Sequence, residues 1–197
     1  MKKFKIVGGI LIAAGIIVIS SAIGMRLWAA HKENAMINDF QRTIAQEDKK
    51  PNADASTDAQ PPADTKAAIG VLTIPKINLK VAIGEGVDLG TLKYAVGHFK
   101  GTAMPGQKGN FCVAGHRSYT YSEYFNRLGE IKNGDIINVQ AKSGTYTYKV
   151  YNISVVTPDH VEVLNPTSDA TMTLITCTPI RIATHRLIIN ARLVEKQ

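Results

Sequence analysis

The sequence predicts an all-β domain, a closed barrel or a sandwich of about eight short strands, preceded by one N-terminal membrane-spanning helix. Two patterns carry this prediction. Residues 6–25 form an apolar run without a charged residue, and a run of this length can cross a bilayer. From residue 69 onward, short runs rich in Val, Ile, Thr and Tyr alternate with Gly, Pro, Asn and Asp, which is typical of strands joined by turns.

The residues on either side of the apolar run set its expected orientation. Three lysines lie within the first five residues and should stay in the cytoplasm, so that everything after Arg26 lies outside. Trp28 follows at a position typical of an interfacial aromatic residue. We therefore predict that residues 1–28 are a cytoplasmic stub and a single-pass anchor in the cell membrane. A cleaved signal peptide is the alternative interpretation.

Residues 29–67 are predicted to be an extracytoplasmic stalk, helical in its first part and disordered in its second. Residues 29–48 have a weakly helical pattern of apolar residues. Residues 48–67 contain no Leu, Ile, Val or aromatic residue, so they cannot bury enough apolar surface to fold. The folded domain is therefore expected at residues 68–197.

Eight runs within this domain are predicted strands. They lie at residues 71–74, 79–83, 110–114, 135–139, 145–151, 153–156, 172–176 and 186–191. The fifth run alternates with a period of two, as a half-buried strand does. Short helical turns are expected at residues 89–94 and 122–128.

Charge and cysteine content limit the function classes. Residues 67–197 carry 14 basic and 9 acidic side chains, a net charge of +5 that suits an anionic neighbourhood such as a cell wall. No basic run or arginine-rich helix is present, so no nucleic-acid partner is expected. A domain of this size needs no disulfide, and Cys112 is expected to be a small buried residue. A disulfide between Cys112 and Cys177 is the alternative.

Three strand ends carry the residue types that thiol catalysis needs. Cys177 ends a predicted strand just before Pro179, and His116 follows another strand end. Arg186 opens the strand after the loop at residues 178–185, so it should lie across a hairpin from Cys177. Together they offer a thiolate, a proton shuttle and a cation for a developing oxyanion. Taken singly, each would be an ordinary packed Cys, surface His or solvated Arg.

The sequences around these residues resemble those of sortases. Residues 173–177, Thr-Leu-Ile-Thr-Cys, are similar to the family's nucleophile motif Thr-Leu-x-Thr-Cys. Residues 114–117, Ala-Gly-His-Arg, resemble the segment with its histidine, and residues 184–189 resemble the strand with its arginine. The resemblance covers essentially all of residues 68–194. It implies a closed eight-stranded sortase-type β-barrel with short helices.

The resemblance also implies an activity. Cys177 would attack the Thr–Gly bond of a sorting signal of the Leu-Pro-x-Thr-Gly kind and form a thioester acyl-enzyme. His116 would shuttle the proton, and Arg186 would bind the substrate carbonyl. The acceptor would be an amino group of a cell-wall peptidoglycan precursor. No metal or organic cofactor is implied.

The loops before and after the strand that ends at Cys177 are predicted to be specificity walls. Apolar residues in the loop at 157–170 could form a slot for the Leu and Pro of the signal. Residues in the loop at 178–185 could contact the residue beyond the cleaved bond. The candidate substrate-binding residues are Val161, Val163, Leu164, Thr176, Ile180 and Ile182.

Further patterns bear on the sortase class and on the alternative functions. The loop at residues 98–110 has no Asp or Glu, so no calcium dependence is expected. No Asp-Pro-aromatic sequence is present, and no second apolar span follows the barrel, which favours protein attachment over the alternative of a pilin-polymerising sortase. The Cys-Thr-Pro and Thr-His-Arg-Leu-Ile patterns look most like class D, with class A or E as alternatives. Papain-like and L,D-transpeptidase motifs are not seen. The non-enzymatic alternative is a membrane-stalked binding barrel with an unreactive Cys177.

Overall fold

Eight strands close into one barrel. The computed structural model describes residues 2–47, 67–117 and 124–197. The strands are β1 (Ala68–Ile74), β2 (Leu79–Glu85), β3 (Val96–His98), β4 (Gly109–Ala114), β5 (Ile136–Ala141), β6 (Gly144–Val156), β7 (Ala170–Thr178) and β8 (His185–Lys196). Their order is β1-β2-β3-β4-β7-β8-β6-β5, and β5 pairs back onto β1. The predicted closed eight-stranded β-barrel is confirmed.

Two parallel pairings separate the antiparallel ones. β2 pairs with β3 and β4 pairs with β7 in parallel, whereas the other neighbours are antiparallel. Ala114 of β4 lies opposite Ile175 of β7, and Ile175 in turn lies opposite Ile188 of β8. Because of this register, the ends of β4 and β7 and the beginning of β8 meet at the same rim of the barrel.

Two strand predictions were wrong in detail. The runs at residues 145–151 and 153–156 belong to one strand, β6, whose pairing with β8 continues through a register shift between Val150 and Asn152. A β-bulge of this kind lets a polar residue interrupt the pattern without ending the ladder. β3 lies in none of the eight predicted runs. It has only three residues. Its central residue is glycine because a Cβ on Gly97 would lie 2.4 Å from the Gly86 carbonyl oxygen.

The barrel interior is filled by alternate side chains of the strands. At about 25 cal/mol per Å² of apolar surface removed from water, each fully buried large apolar side chain contributes roughly 1.5–3 kcal/mol to the free energy of folding. The residues between them face outward, so side chains can reach a substrate only on the outside of the barrel or at its rims. The inward set includes Leu72, Ile74, Val81, Ile83, Phe111, Val113, Ile137, Val139, Tyr146, Tyr148, Met172, Leu174 and Ile189.

Short helical elements connect the strands. α2 (Leu89–Leu92) confirms the turn expected there, and the Asp88 side chain caps it by accepting a hydrogen bond from the Thr91 amide at 3.1 Å. Single 3₁₀ turns cover Pro75–Ile77, Leu128–Glu130 and Val161–Leu164. The other predicted turn, at residues 122–128, lies partly outside the described residues.

The N-terminal helix α1 (Lys2–Glu47) is longer than the predicted span. It is long and apolar enough to cross a membrane over part of its length, and the side chains described between residues 6 and 25 are mostly exposed. It continues without a break through the first part of the predicted stalk. The disordered part predicted at residues 48–66 lies outside the described residues.

The outer part of α1 lies on the barrel. Met36, Ile37 and Phe40 are 9%, 7% and 4% exposed. They pack with the outward-facing side chains of Val71, Ala82 and Ala95. About two to three turns closer to the N-terminus, the Trp28 ring contacts Tyr94 edge to face, with ring centroids 5.7 Å apart. The helical part of the predicted stalk is therefore docked on the barrel.

Removal of the Phe40 ring should undock α1. A Phe-to-Ala change in a packed core costs about 3–5 kcal/mol, so Phe40→Ala should free residues 28–44 from the barrel. Hydrogen exchange of the detergent-solubilised full chain should be faster by about tenfold or more in this segment. Asp39→Ala, on the exposed side of the helix, is the control. Unchanged exchange in Phe40→Ala would contradict the docking.

Candidate active site

The parallel pairing of β4 with β7 continues beyond the last residue of β4. The Gly115 amide donates to the Ile175 carbonyl at 3.1 Å, and the Thr176 hydroxyl donates to the Gly115 carbonyl at 2.8 Å. Ala114 lies opposite Ile175, so His116 follows at the level of Cys177. A Cβ at Gly115 would lie 2.6 Å from the Phe125 ring, which explains why glycine precedes the histidine.

The hairpin of β7 and β8 places the third candidate. Cys177 is the antiparallel partner of Arg186, which agrees with the hairpin prediction. Arg186 is half-buried, and its Nη1 donates to the carbonyls of Ala183 at 3.2 Å and His185 at 3.1 Å. These bonds engage one terminal nitrogen of the guanidinium with the loop before β8.

Strand alternation puts the three candidates on one face. Phe111 and Val113 of β4, Met172 and Leu174 of β7, and Leu187 and Ile189 of β8 belong to the core. Cys177 and Arg186 alternate with these core residues, and His116 continues the outward-facing set of β4. His116 and Cys177 are both half-buried. The structure therefore brings all three to the outer face of the barrel at one rim.

A second arginine, which the sequence analysis did not select, holds the end of the cysteine strand. Arg117 Nη1 donates to Thr178 Oγ1 at 3.0 Å and to the Cys177 carbonyl at 3.5 Å. Its Nε donates to the Asn126 carbonyl at 3.4 Å. The signal was its place in the Ala-Gly-His-Arg segment. Arg117 and Arg186 bring two guanidinium groups into the neighbourhood of Cys177.

The other histidines do not share this arrangement. His185 precedes Arg186 but alternates to the opposite side of the strand, where its Nδ1 lies 3.0 Å from Thr184 Oγ1. His98 is 2% exposed, with Nδ1 3.0 Å from Glu85 Oε2 and Nε2 3.1 Å from the Ala103 carbonyl. The His98 side chain therefore stabilises the loop after β3 by hydrogen bonds.

A cavity of about 320 Å³ lies on the same outer face, next to Arg186, whose cross-strand partner Val156 lines it. Its apolar walls include Val156 of β6, Val163 of the loop before β7, and Ile188 of β8. Ile188 is the next outward-facing residue after Arg186 along β8. The cavity thus begins two residues along β8 from Arg186, next to the candidate catalytic row formed by His116, Cys177 and Arg186.

The predicted substrate-binding residues are not equivalent. Val163 lines the cavity, whereas Val161 is 64% exposed and lies outside its lining, as does the half-buried Leu164. In the loop between β7 and β8, Ile180 is half-buried and Ile182 is 68% exposed. Thr176 is 2% exposed and its hydroxyl is bonded to Gly115, so its side chain joins the two site strands.

The two cysteines differ in environment. Both are free, so the disulfide alternative is wrong. Cys112 is fully buried, and burial raises the pKa of its thiol to about 12. Its thiolate is therefore negligible at neutral pH. Among residues 2–47, 67–117 and 124–197, no three His, Cys, Asp or Glu side chains gather into a group that could hold a metal.

Comparisons with known proteins agree with this fold. The family model of the sortase domain matches residues 72–194, more than half of the chain. Sortase D of Bacillus subtilis is 34% identical over 101 residues, which are 51% of this chain and 49% of that protein. Sortase SrtE1 of Streptomyces coelicolor is 29% identical over 98% of this chain and 58% of its own length. This chain thus spans about half to three-fifths of these two relatives.

A solved structure gives the same result. That of the Clostridium perfringens Sortase D5 transpeptidase aligns with a TM-score of 0.68 and 30% identity, over 84% of this chain and 99% of that one. The match includes the closed barrel and extends beyond the residues matched by the family model. The chain belongs to the sortase family.

Proposed function

We propose that this chain is a transpeptidase in which Cys177 is the nucleophile, His116 the general acid and base, and Arg186 the cation that binds the substrate carbonyl. The observation that carries the proposal is the shared register of the three residues on the outer face at one rim. Membership of the sortase family supports it.

The arrangement performs the reaction in two halves. The Cys177 thiolate adds to the threonine carbonyl carbon of a Leu-Pro-x-Thr-Gly-like signal, and the Arg186 guanidinium stabilises the oxyanion. As the C–N bond breaks, His116 gives its proton to the departing glycine amine and a thioester remains. An incoming amine then gives a proton to His116 and attacks the thioester, so that a new amide forms and the Cys177 thiolate is released.

Two further residues act by positioning. Arg117 bonds to the Cys177 carbonyl and to Thr178, so it orients the end of β7 that carries the nucleophile. Thr176 ties β7 to Gly115, next to His116. We propose that both set the separation of Cys177 and His116 and do not touch the substrate.

The cavity beside Arg186 suits the first residues of the sorting signal. Val156, Val163 and Ile188 offer apolar contact to a Leu-Pro pair whose scissile bond lies at Cys177. Leu164, Ile180 and Ile182 would contact the substrate from the two flanking loops, whereas the exposed Val161 lies outside the cavity lining. The sorting signal that a protein carries would decide whether it is a target.

We propose that the acceptor is an amino group of a peptidoglycan precursor. The supporting observation is α1, whose apolar part is long enough to cross a membrane. From the N-terminal lysines we propose that the N-terminus lies inside and the barrel outside. In this proposal residues 1–28 are the anchor, residues 29–67 the link and residues 68–197 the catalytic domain. Similarity to Sortase D of Bacillus subtilis and to Sortase D5 supports a class D enzyme.

Removal of either reacting side chain should abolish transfer. Loss of general acid–base catalysis costs about 10²–10⁴-fold in rate, so His116→Ala should lose at least about a hundredfold, and Cys177→Ala should lose all thioester chemistry. The measurement is turnover of a sorting-signal peptide with an added amine, read by mass spectrometry. His185→Ala is the matched control and should keep its activity. Near-normal turnover by a folded His116→Ala would refute the assignment.

Alkylation separates a nucleophile from an inert thiol. Iodoacetamide at neutral pH should modify Cys177 and leave Cys112 unmodified, because the Cys112 thiol is buried and its pKa is about 12. Peptide mapping locates the label, and a sorting-signal peptide should slow the reaction. A membrane-stalked binding barrel with an unreactive Cys177 would instead give no label on the folded protein.

Two valines of the same turn give a matched test of the cavity. Val163→Ala removes apolar contact worth about 1.5 kcal/mol from the cavity wall, so KM for the peptide should rise by about tenfold. Val161→Ala removes the same atoms from an exposed position and should leave KM unchanged. Equal effects of the two substitutions on KM would contradict the cavity as the binding site.

A further inference from the structure

One buried amide joins the cavity wall to the strand that carries Cys177. Asn110, the second residue of β4, is 4% exposed. Its Nδ2 donates to the carbonyls of Val163 at 2.9 Å and Asn165 at 3.2 Å. Its Oδ1 accepts from Thr173 Oγ1 at 2.7 Å, and from Thr171 Oγ1 at 3.5 Å. Both donors and both acceptor positions of the side chain are used.

The loop that Asn110 holds has little else to fix its position. Residues 157–169 contain no buried residue, and only Val163 and Leu164 are half-buried. The 3₁₀ turn Val161–Leu164 has no side-chain cap at its beginning. Thr167 bonds within the loop and to Thr171, but at the far end from Val163. Without a hydrophobic anchor, the wall at Val163 depends on hydrogen bonds to the barrel.

The other end of the link is rigid. Thr173 lies four residues before Cys177 on β7 and is 1% exposed. Its hydroxyl also accepts from Asn190 Nδ2 at 3.0 Å, and Asn190 Oδ1 accepts from Asn152 Nδ2 at 3.0 Å. These polar side chains cross β4, β7, β8 and β6 on the outer face, at the level of the cavity. The orientation of the Asn110 amide is thus set by the barrel.

We propose that Asn110 is a positioning residue for substrate binding: it fixes the Val163 wall of the cavity relative to the strand that carries the nucleophile. This inference rests on the proposed transpeptidase function for its effect on substrate, but its effect on the loop is independent of activity. Asn110 itself borders the cavity, but its amide is engaged by the loop carbonyls and by Thr173. It lies near the opposite end of β4 from His116, so we assign it to positioning of the loop and not to the bond-breaking step.

Asn110→Asp is the sharpest test because it keeps the side-chain shape while it removes both donors to the loop and adds a buried carboxylate. A carboxylate still accepts from Thr173, but it cannot donate, and it sets an oxygen against the Val163 and Asn165 carbonyls. Loss of these buried bonds should raise KM for a sorting-signal peptide by about tenfold, with kcat changed by less than about threefold. Amides of residues 161–165 should exchange faster with solvent.

Two companion variants keep the result interpretable. Asn138→Asp makes the same chemical change on β5, outside the polar chain and outside the cavity lining, and should leave KM and loop exchange unchanged. Thr173→Val removes the strongest bond that orients the Asn110 amide and should cause the same changes as Asn110→Asp to a smaller extent. It provides the test if Asn110→Asp does not fold.

A double substitution tests whether Asn110 works through Val163. If it does, Asn110→Asp with Val163→Ala should raise KM by less than the product of the two single effects. Unchanged exchange at residues 161–165 together with unchanged KM in Asn110→Asp and Thr173→Val would overturn the inference, as would a loss confined to kcat. Absence of turnover by the unsubstituted chain would instead overturn the proposed function, while the exchange measurement would still decide the role of Asn110.

Discussion

The parallel pairing between β4 and β7 is the constraint on which the candidate site depends. His116 and Cys177 are 61 residues apart in the chain, and their approach follows from the register that sets Ala114 opposite Ile175. Two bonds extend this register past the strand, from the Gly115 amide and from the Thr176 hydroxyl. A slip of one residue would turn either side chain into the core, because strand residues alternate between faces.

The outer face of β4, β7, β8 and β6 has two parts, the candidate catalytic rim and the cavity. The rim carries Cys177 and Arg186 as a cross-strand pair, and the cavity begins one repeat further along β8. A substrate peptide laid along this face would meet apolar side chains first and the thiol at its scissile bond. The second thiol, Cys112, lies on β4 under cover, where burial keeps it protonated. Of the two free thiols, only that of Cys177 is partly exposed on this surface.

Sequence patterns predicted a closed barrel or a sandwich, and the resemblance to sortases selected the barrel. The predicted residues His116, Cys177 and Arg186 lie at one rim, and their catalytic roles remain a proposal. The strands with uniform β-branched runs were found, and the local motifs around His116, Cys177 and Arg186 agreed with each other. Features that depend on pairing were missed or misread. The bulge in β6 looked like a strand end, because register cannot be inferred from one strand alone. Arg117, Thr176 and Asn110 act through carbonyl and hydroxyl partners far away in the chain, which composition does not reveal. Docking of Phe40 was missed because its partner surface exists only once β1 and β2 are paired.

The account rests on Cys177 forming a covalent bond to the substrate acyl group within a row that includes His116 and Arg186. The most direct measurement is acid-quenched mass spectrometry of the protein mixed with a sorting-signal peptide in the absence of an amine acceptor. The account predicts an adduct with the mass of the peptide up to its threonine, located on Cys177 by peptide mapping, removed by hydroxylamine and absent from Cys177→Ala. Cleavage of the peptide by the Cys177→Ala protein, or an acyl adduct on any other residue, would contradict it.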